Sequence, residues 1–246
     1  MVTEQGFDDA VPNLSIVLAY YSNPQMLRYQ LRNFSSMPVA VLEKLELLIV
    51  DDCSPTYPAL DVASEFTGLP LKVFRLQYDK PWNQDAARNI GAFEARGAML
   101  LLTDIDHVVP LTTLTKLVNL EPTGRVFVFA RRAHFSEILL QPHLNSYAIS
   151  KKTFWEVGGY DEDFWGTYGS DVIFRRQLVE KTGNLAILDV QLELVTKGSI
   201  SDARNQTLSR SPSIMRRARG VFLRLAKSLH FMPFPRALVN PYKRVL

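Results

Sequence analysis

Apolar residues along this chain fall into short continuous runs, separated by stretches in which they recur every three or four positions. Leu14–Tyr20 (LSIVLAY), Leu45–Val50 (LELLIV), Leu71–Leu76 (LKVFRL), Met99–Thr103 and Val126–Ala130 have the length and continuity of strands buried on both faces. Helical spacing predicts Met26–Phe34, entered through Ser22-Asn23-Pro24, then Ala59–Phe66, Gln84–Arg96 and Leu111–Leu120. Gly97 is placed to stop the third of these helices. Strands this apolar, alternating with helices, predict an α/β fold with a mostly parallel sheet flanked by helices and right-handed crossovers. After about residue 131 the rhythm loosens. Tyr147–Ser150, a helix from Thr153, a glycine-rich loop over 158–169, a helix from Ser170 and a strand-like stretch over 185–195 follow.

Composition adds little to the fold and something to the organisation. The 246 residues are 47% hydrophobic and 22% charged, which is ordinary for a globular chain with a substantial core. A single cysteine, Cys53, excludes an intramolecular disulfide and a cysteine-cluster zinc site. The acidic, polar start (MVTEQGFDDAVPN) is unlike a secretory signal, and no apolar run approaches the roughly 20 residues of a spanning helix. A cytoplasmic protein, peripheral at most on the inner face of a membrane, is the expectation. The charge is uneven. Residues 203–246 hold ten Lys/Arg and no Asp/Glu, whereas 1–202 hold the other 18 basic and all 25 acidic residues. The expected division is a domain over 1–206 and a basic amphipathic extension over 207–246.

Candidate chemistry gathers where strands end, the side of an open α/β sheet at which ligands bind. The first strand ends in Tyr20-Tyr21-Ser22, the second in Asp51-Asp52 and the fourth in Asp104-Ile105-Asp106-His107. Neighbouring strands would crowd four carboxylates on one rim, which requires a cation or donor groups. Residues two apart in an extended segment face the same way, so Asp104 and Asp106 can share a partner. Hard oxygen ligands of this kind suit Mg²⁺ or Mn²⁺, which commonly complete their shell with phosphate oxygens. A loop cap before the next helix is the competing explanation of the same tripeptide.

Three segments carry a resemblance. "LLIVDDCSP" at 47–55, "WNQDAARNIGAFEARGAMLLLTDID" at 82–106 and "GGYDEDFWGTYGSDVIFRRQL" at 158–178 occur in the order and spacing of a family-two glycosyltransferase with the GT-A fold, and the resemblance runs from about Leu14 to Val195. It implies that Asp51 or Asp52, with Asp52 preferred, holds the base and ribose of a nucleotide-sugar beside the backbone at Tyr20. It places Asp104 and Asp106 on the ribose and a divalent ion, Mn²⁺ or Mg²⁺, with Asp106 preferred as the direct metal ligand and His107 as a further one. Arg88 is a candidate for the nucleotide and Asn89 for bracing a loop. Asp171 falls on the position of the catalytic base, which takes a proton from the acceptor hydroxyl in an inverting transfer. Trp165 and Tyr168 are candidates for stacking on sugar, with Ser170 beside them on the acceptor side.

Two departures from the family pattern stand out. Ser170 replaces the acidic partner of Asp171, and no histidine follows the last core strand, where Lys197 is the candidate for neutralising diphosphate. Arg131, Arg132, His134 and His143 flank the acceptor side, either reading an anionic acceptor or forming a solvated loop.

The tail adds a helical stripe, Ile214, Ala218, Val221, Phe222, Leu225 and Leu229, with Arg216, Arg217, Arg224 and Lys227 largely off it. It would either lie on an anionic membrane surface or dock its apolar face on its own domain. Nucleic acid is not an expected partner, because the body is acidic and no reader motif occurs. The expected function is transfer of a sugar from a nucleoside-diphosphate donor, uridine-linked by preference, to a glycan or lipid-linked acceptor in polysaccharide biosynthesis. Two alternatives stay open: a non-catalytic nucleotide-sugar or glycan-binding domain, and a sugar-phosphate nucleotidyltransferase. The latter normally has a glycine-rich basic loop after its first strand, where this chain has Tyr20-Tyr21-Ser22-Asn23-Pro24.

Overall fold

The computed structural model describes residues 11–143, 145–167, 169–204, 213–229, 231–232 and 234–246. Its elements in chain order are β1 (Leu14–Tyr20), α1 (Pro24–Ser35), α2 (Val39–Leu42), β2 (Leu45–Asp51), α3 (Ala59–Ala63), β3 (Leu71–Leu76), α4 (Gln84–Glu94), β4 (Met99–Thr103), β5 (His107–Val108) and α5 (Leu111–Leu117). There follow β6 (Val126–Ala133), β7 (Leu139–Leu140), β8 (Tyr147–Ser150), α6 (Lys151–Glu156), a 3₁₀ turn at Glu162–Phe164, α7 (Ser170–Thr182), β9 (Ala186–Leu194), α8 (Ser213–Ser228) and β10 (Tyr242–Arg244).

One sheet runs in the order β10-β3-β2-β1-β4-β8-β6-β9-β5, with β7 paired to β6. The β3-β2-β1-β4 block is parallel, as the apolar runs predict. Beyond β4 the sheet is mixed: β8 is antiparallel to both β4 and β6, and β9 is parallel to β6. Strand alternation sends Ile16, Leu18, Leu47 and Leu101 to one face, against α1, α3 and α5. It sends Val17, Leu48, Val50 and Leu100 to the other, against α4, α6 and α7. Each fully buried aliphatic side chain contributes roughly 1.5–3 kcal/mol of transfer free energy, so both layers are strongly held. Gly91 is the point of closest approach between α4 and β1. A Cβ there would lie 2.3 Å from a methyl of Val17, which explains the glycine inside a helix.

The final strand changes the expected division of the chain. β10 pairs antiparallel with β3 at the sheet edge, so residues 242–244, within the expected extension, are part of the sheet. The strap leading to it is held by Glu162. That buried carboxylate accepts from the backbone N–H of Leu238 (2.6 Å), Val239 (3.1 Å) and Asn240 (3.1 Å), from Asn240 Nδ2 (2.6 Å) and from Asn89 Nδ2 (2.9 Å).

Candidate active site

Because β2 and β4 both lie parallel to β1, on either side of it, their carboxyl ends open on the same rim as Tyr20. The strand order reverses between β1 and β4, which is where an open α/β sheet leaves a crevice. A cleft of about 260 Å³ occupies it, lined among others by Tyr20, Asp52, Asp104, Asp106, Asp171 and Arg204. The acids of three distant segments therefore meet in one cavity.

The two carboxylates after β2 divide their work. Asp51 turns inward. It accepts from the N–H of Ser54 (2.7 Å) and Ala59 (3.0 Å) and pairs with Arg75 at 2.6 Å, fixing the loop before α3. Asp52 faces the cleft. One oxygen accepts from Asn83 N at 3.1 Å, and the other has no partner among the described residues. Burial pushes the Asp52 carboxyl well above the usual range, partly offset by the bond from Asn83. Asn145 also lines the cleft with a buried, unpartnered side-chain oxygen. Buried polar atoms left in this condition mark places where a ligand completes the bonding.

The Asp104–His107 segment is held from several sides. Gln30 on α1 donates to the carbonyls of Ile105 (2.8 Å) and His107 (2.7 Å), and Val195 N donates to the Asp106 carbonyl (2.8 Å). Asp104 bonds Arg88 through one oxygen, and its other oxygen lies 3.5 Å from His143 Nδ1. Asp106 Oδ1 lies 2.8 Å from His107 Nδ1, and Oδ2 accepts from Arg204 Nε at 2.8 Å. Burial alone would raise the Asp106 carboxyl, but His107 and Arg204 outweigh it and hold it below the usual range. Ligand atoms of Asp104, His107 and His143 all lie within 4.8 Å of one another. Burial lowers the His143 imidazole to about 4, which keeps it a neutral donor. This mixed oxygen and nitrogen set fits a divalent transition-type ion; Asp106, the ligand expected from the sequence, is not in it, because its oxygens lie against His107 Nδ1 and Arg204 Nε.

Asp171 also lines the cleft. Gly169 precedes it in the left-handed region (φ 97°), a conformation that costs glycine nothing, and α7 begins at Ser170. Asp171 thus sits in the first turn of α7, where the helix dipole favours a negative charge.

Several expected site residues stand elsewhere. Arg88 does not line the cleft. It is fully buried beneath the cleft, bonding Asp104 and the Tyr160 hydroxyl (3.1 Å), because α4 turns that position toward the sheet. Lys197 is exposed and absent from the cleft wall; a cation that does line it is Arg204, seven residues on. Trp165 has one ring face covered by the Arg219 guanidinium, 3.7 Å from the ring centroid, so that face is not open to sugar. Ser170 is buried and bonds Asp85, a fully buried carboxylate in the first turn of α4 that no sequence motif singles out. Burial raises Asp85 to about 7, with Ser170 and Arg88 limiting the rise. Tyr168 lies outside the described residues. Asn89 braces the loop as expected, exchanging bonds with both backbone groups of Tyr160. Arg132 and His134 share Glu193, which makes them structural at this position.

The sequence profile of glycosyl transferase family 2 matches residues 15–183. The chain belongs to that family. Among solved structures, the family-2 fold seen here is similar to TarS 1-349 of S. aureus in complex with UDP-GlcNAc, at TM-score 0.60 and 14% identity, covering 81% of this chain and 61% of that one. It is also similar to the mannosyltransferase PcManGT of Pyrobaculum calidifontis in complex with GDP-Man and Mn2+, at TM-score 0.59 and 18% identity, covering 90% of this chain and 65% of that one. The chain thus spans about three-fifths of the length of these structures. No curated protein matches the sequence. The fold is that of the GT-A glycosyltransferases.

Proposed function

We propose that this chain is a divalent-metal-assisted, inverting glycosyltransferase that uses a nucleoside-diphosphate sugar. The observation that carries the reading is the convergence of Asp52, Asp104, Asp106 and Asp171 on one cleft at the carboxyl ends of β1, β2 and β4. Solved neighbours holding UDP-GlcNAc or GDP-Man with Mn2+ support it. Asp52, Asn145 and the backbone at Tyr20 would receive the base and ribose. Asp104, His143 and His107 would hold the metal, and Arg204 would leave Asp106 for the diphosphate, since a guanidinium pairs well with phosphate oxygens. The ion, when bound, supplies charge neutralisation to the departing nucleoside diphosphate.

Asp171 is the general base in this reading. It lines the same cavity, half-buried and at a helix N-terminus. An acceptor hydroxyl in the cavity would lose its proton to Asp171 while attacking the anomeric carbon. The acceptor class that fits is a glycan or lipid-linked sugar. Asp171→Asn should abolish transfer and donor hydrolysis while nucleotide-sugar binding persists within about threefold, a split that a pure binding role would not produce. Equal loss of binding and turnover would instead favour a ligand-binding role for Asp171. Nucleotide binding without turnover in the parent chain across a broad acceptor panel would favour the non-catalytic alternative.

A further inference from the structure

The amphipathic helix α8 is mounted inside out. Its polar side grips the body. Lys227 is buried and pairs with Asp161 at 2.7 Å and Asp163 at 2.8 Å. Arg219 donates to the carbonyls of Trp165 (2.9 Å) and Asp163 (2.8 Å), and Gly220, Leu223 and Ala226 complete the docked side. The opposite side carries the apolar stripe, and it faces solvent. Ile214 is 79% exposed, Val221 50%, Phe222 64%, Leu225 56% and Leu229 60%. A helix that docks on its own domain normally does so through its apolar face. Here that face is left over, and contiguous exposed apolar patches of this kind mark interaction sites.

We infer that the outward stripe of α8 docks the protein on an anionic lipid surface. Charge decides the occupant. Exposed Arg217 and Arg224 flank one edge of the stripe, and no acidic residue follows Asp202 anywhere in the chain. A second copy of this chain would bring the same positive edge against itself, an unfavourable pairing. An anionic headgroup layer meets the stripe with lipid and the arginines with phosphate, the arrangement of an interfacial helix. No described helix is long and apolar enough to cross a membrane, so α8 lies in the surface plane and does not span it.

The attachment is made by buried ion pairs and backbone hydrogen bonds. The groups that α8 grips, Asp161, Asp163 and Trp165, belong to the loop that leads into Gly169 and Asp171. Docking through α8 therefore sets the height of Asp171 above the lipid. That consequence rests on the transferase reading; the docking itself does not.

The test is cosedimentation of the full chain with vesicles of phosphatidylcholine alone, and of phosphatidylcholine mixed with phosphatidylglycerol. The chain should pellet with the mixed vesicles, bind the neutral ones at least about tenfold more weakly, and come off the mixed ones as salt is raised. The double variant Phe222→Ser with Leu225→Ser, both exposed and away from the cleft, should lose about tenfold or more in vesicle binding. Its circular dichroism and its nucleoside-diphosphate binding should match the parent. Arg217→Glu with Arg224→Glu should remove the preference for the anionic lipid. Failure of the parent chain to pellet would overturn the inference, as would pelleting that survives the serine pair. A dimer in sedimentation equilibrium that the serine pair dissociates would assign the stripe to a second copy instead.

Discussion

Arg204 Nε lies 2.8 Å from Asp106 Oδ2, joining residues 98 positions apart across the mouth of the cleft. The carboxylate is nearly buried and the guanidinium half-exposed, so the cation meets solvent while the anion does not. In the proposed reading, a diphosphate at the rim would compete for that cation.

Arg204→Gln should therefore weaken nucleoside-diphosphate binding by roughly tenfold while leaving the fold intact, since charge-assisted pairs are worth about 1.5–3 kcal/mol and this side chain is half in water. Calorimetric titration with UDP and GDP checks it. Unchanged affinity would mean that Arg204 only neutralises Asp106.

His143→Ala separates the proposed metal set from the Asp104, Asp106 and His107 set expected from the sequence. Three donors from two chain segments converge in the first case, so loss of one should raise the Mn²⁺ dissociation constant at least tenfold. Electron paramagnetic resonance of free Mn²⁺ in titrations of parent and variant gives the number directly. Identical curves would favour the Asp104, Asp106 and His107 set instead.

Asp85 predicts a pH dependence of stability. Its folded value is raised from 3.8 to about 7, chiefly by burial. The folded state then holds a proton that the unfolded chain releases near pH 4, so stability falls as pH rises from about 4 to about 7 and levels off above. Asp85→Asn removes this loss. The difference in unfolding free energy between variant and parent should grow in the variant's favour by about 3–4 kcal/mol from pH 4 to pH 8. Urea titrations at the two pH values measure it, and a difference independent of pH would refute the assignment.

Glu162 is expected to be the most costly single carboxylate to lose. Five donors point at it, three of them backbone groups of the strap before β10. Glu162→Ala should destabilise the chain by about 3–5 kcal/mol. Hydrogen exchange should show the strap and β10 opening first. Protection at residues 238–244 equal to the parent's would contradict this.

What the sequence made legible follows from strand physics. The parallel block β3-β2-β1-β4 was readable because buried strands are apolar throughout, and that block alone fixes the rim on which Asp52, Asp104 and Asp106 meet. Which acid of Asp51-Asp52 faces the cleft was left to preference. The first closes the strand and is taken by Arg75 and two backbone N–H groups, contacts that no local pattern announces. Arg88 looked like a surface or nucleotide-facing residue because helical spacing does not tell which polar residue is swallowed; a guanidinium fully buried under Asp104 appears only when α4 is laid on the sheet. Arg204 sat in plain view beside Lys197, but loop residues carry no period, so nothing local ranked one cation over the other. β10 escaped because an edge strand of Tyr242-Lys243-Arg244 has no apolar signature. The stripe on α8 was read residue by residue; the side on which it docks was not, since Lys227 and Arg219 hold the helix by its polar face.

The central claim is that acids from separate segments surround one metal-bound diphosphate. Calorimetric titration of UDP, GDP and CDP into the intact chain, with and without Mn²⁺, tests it most directly, alongside Asp104→Asn. The account predicts that at least one nucleotide binds at least tenfold more tightly with Mn²⁺ and that the asparagine variant loses that gain. Nucleotide affinity indifferent to the ion, or a gain that survives in the variant, would contradict it.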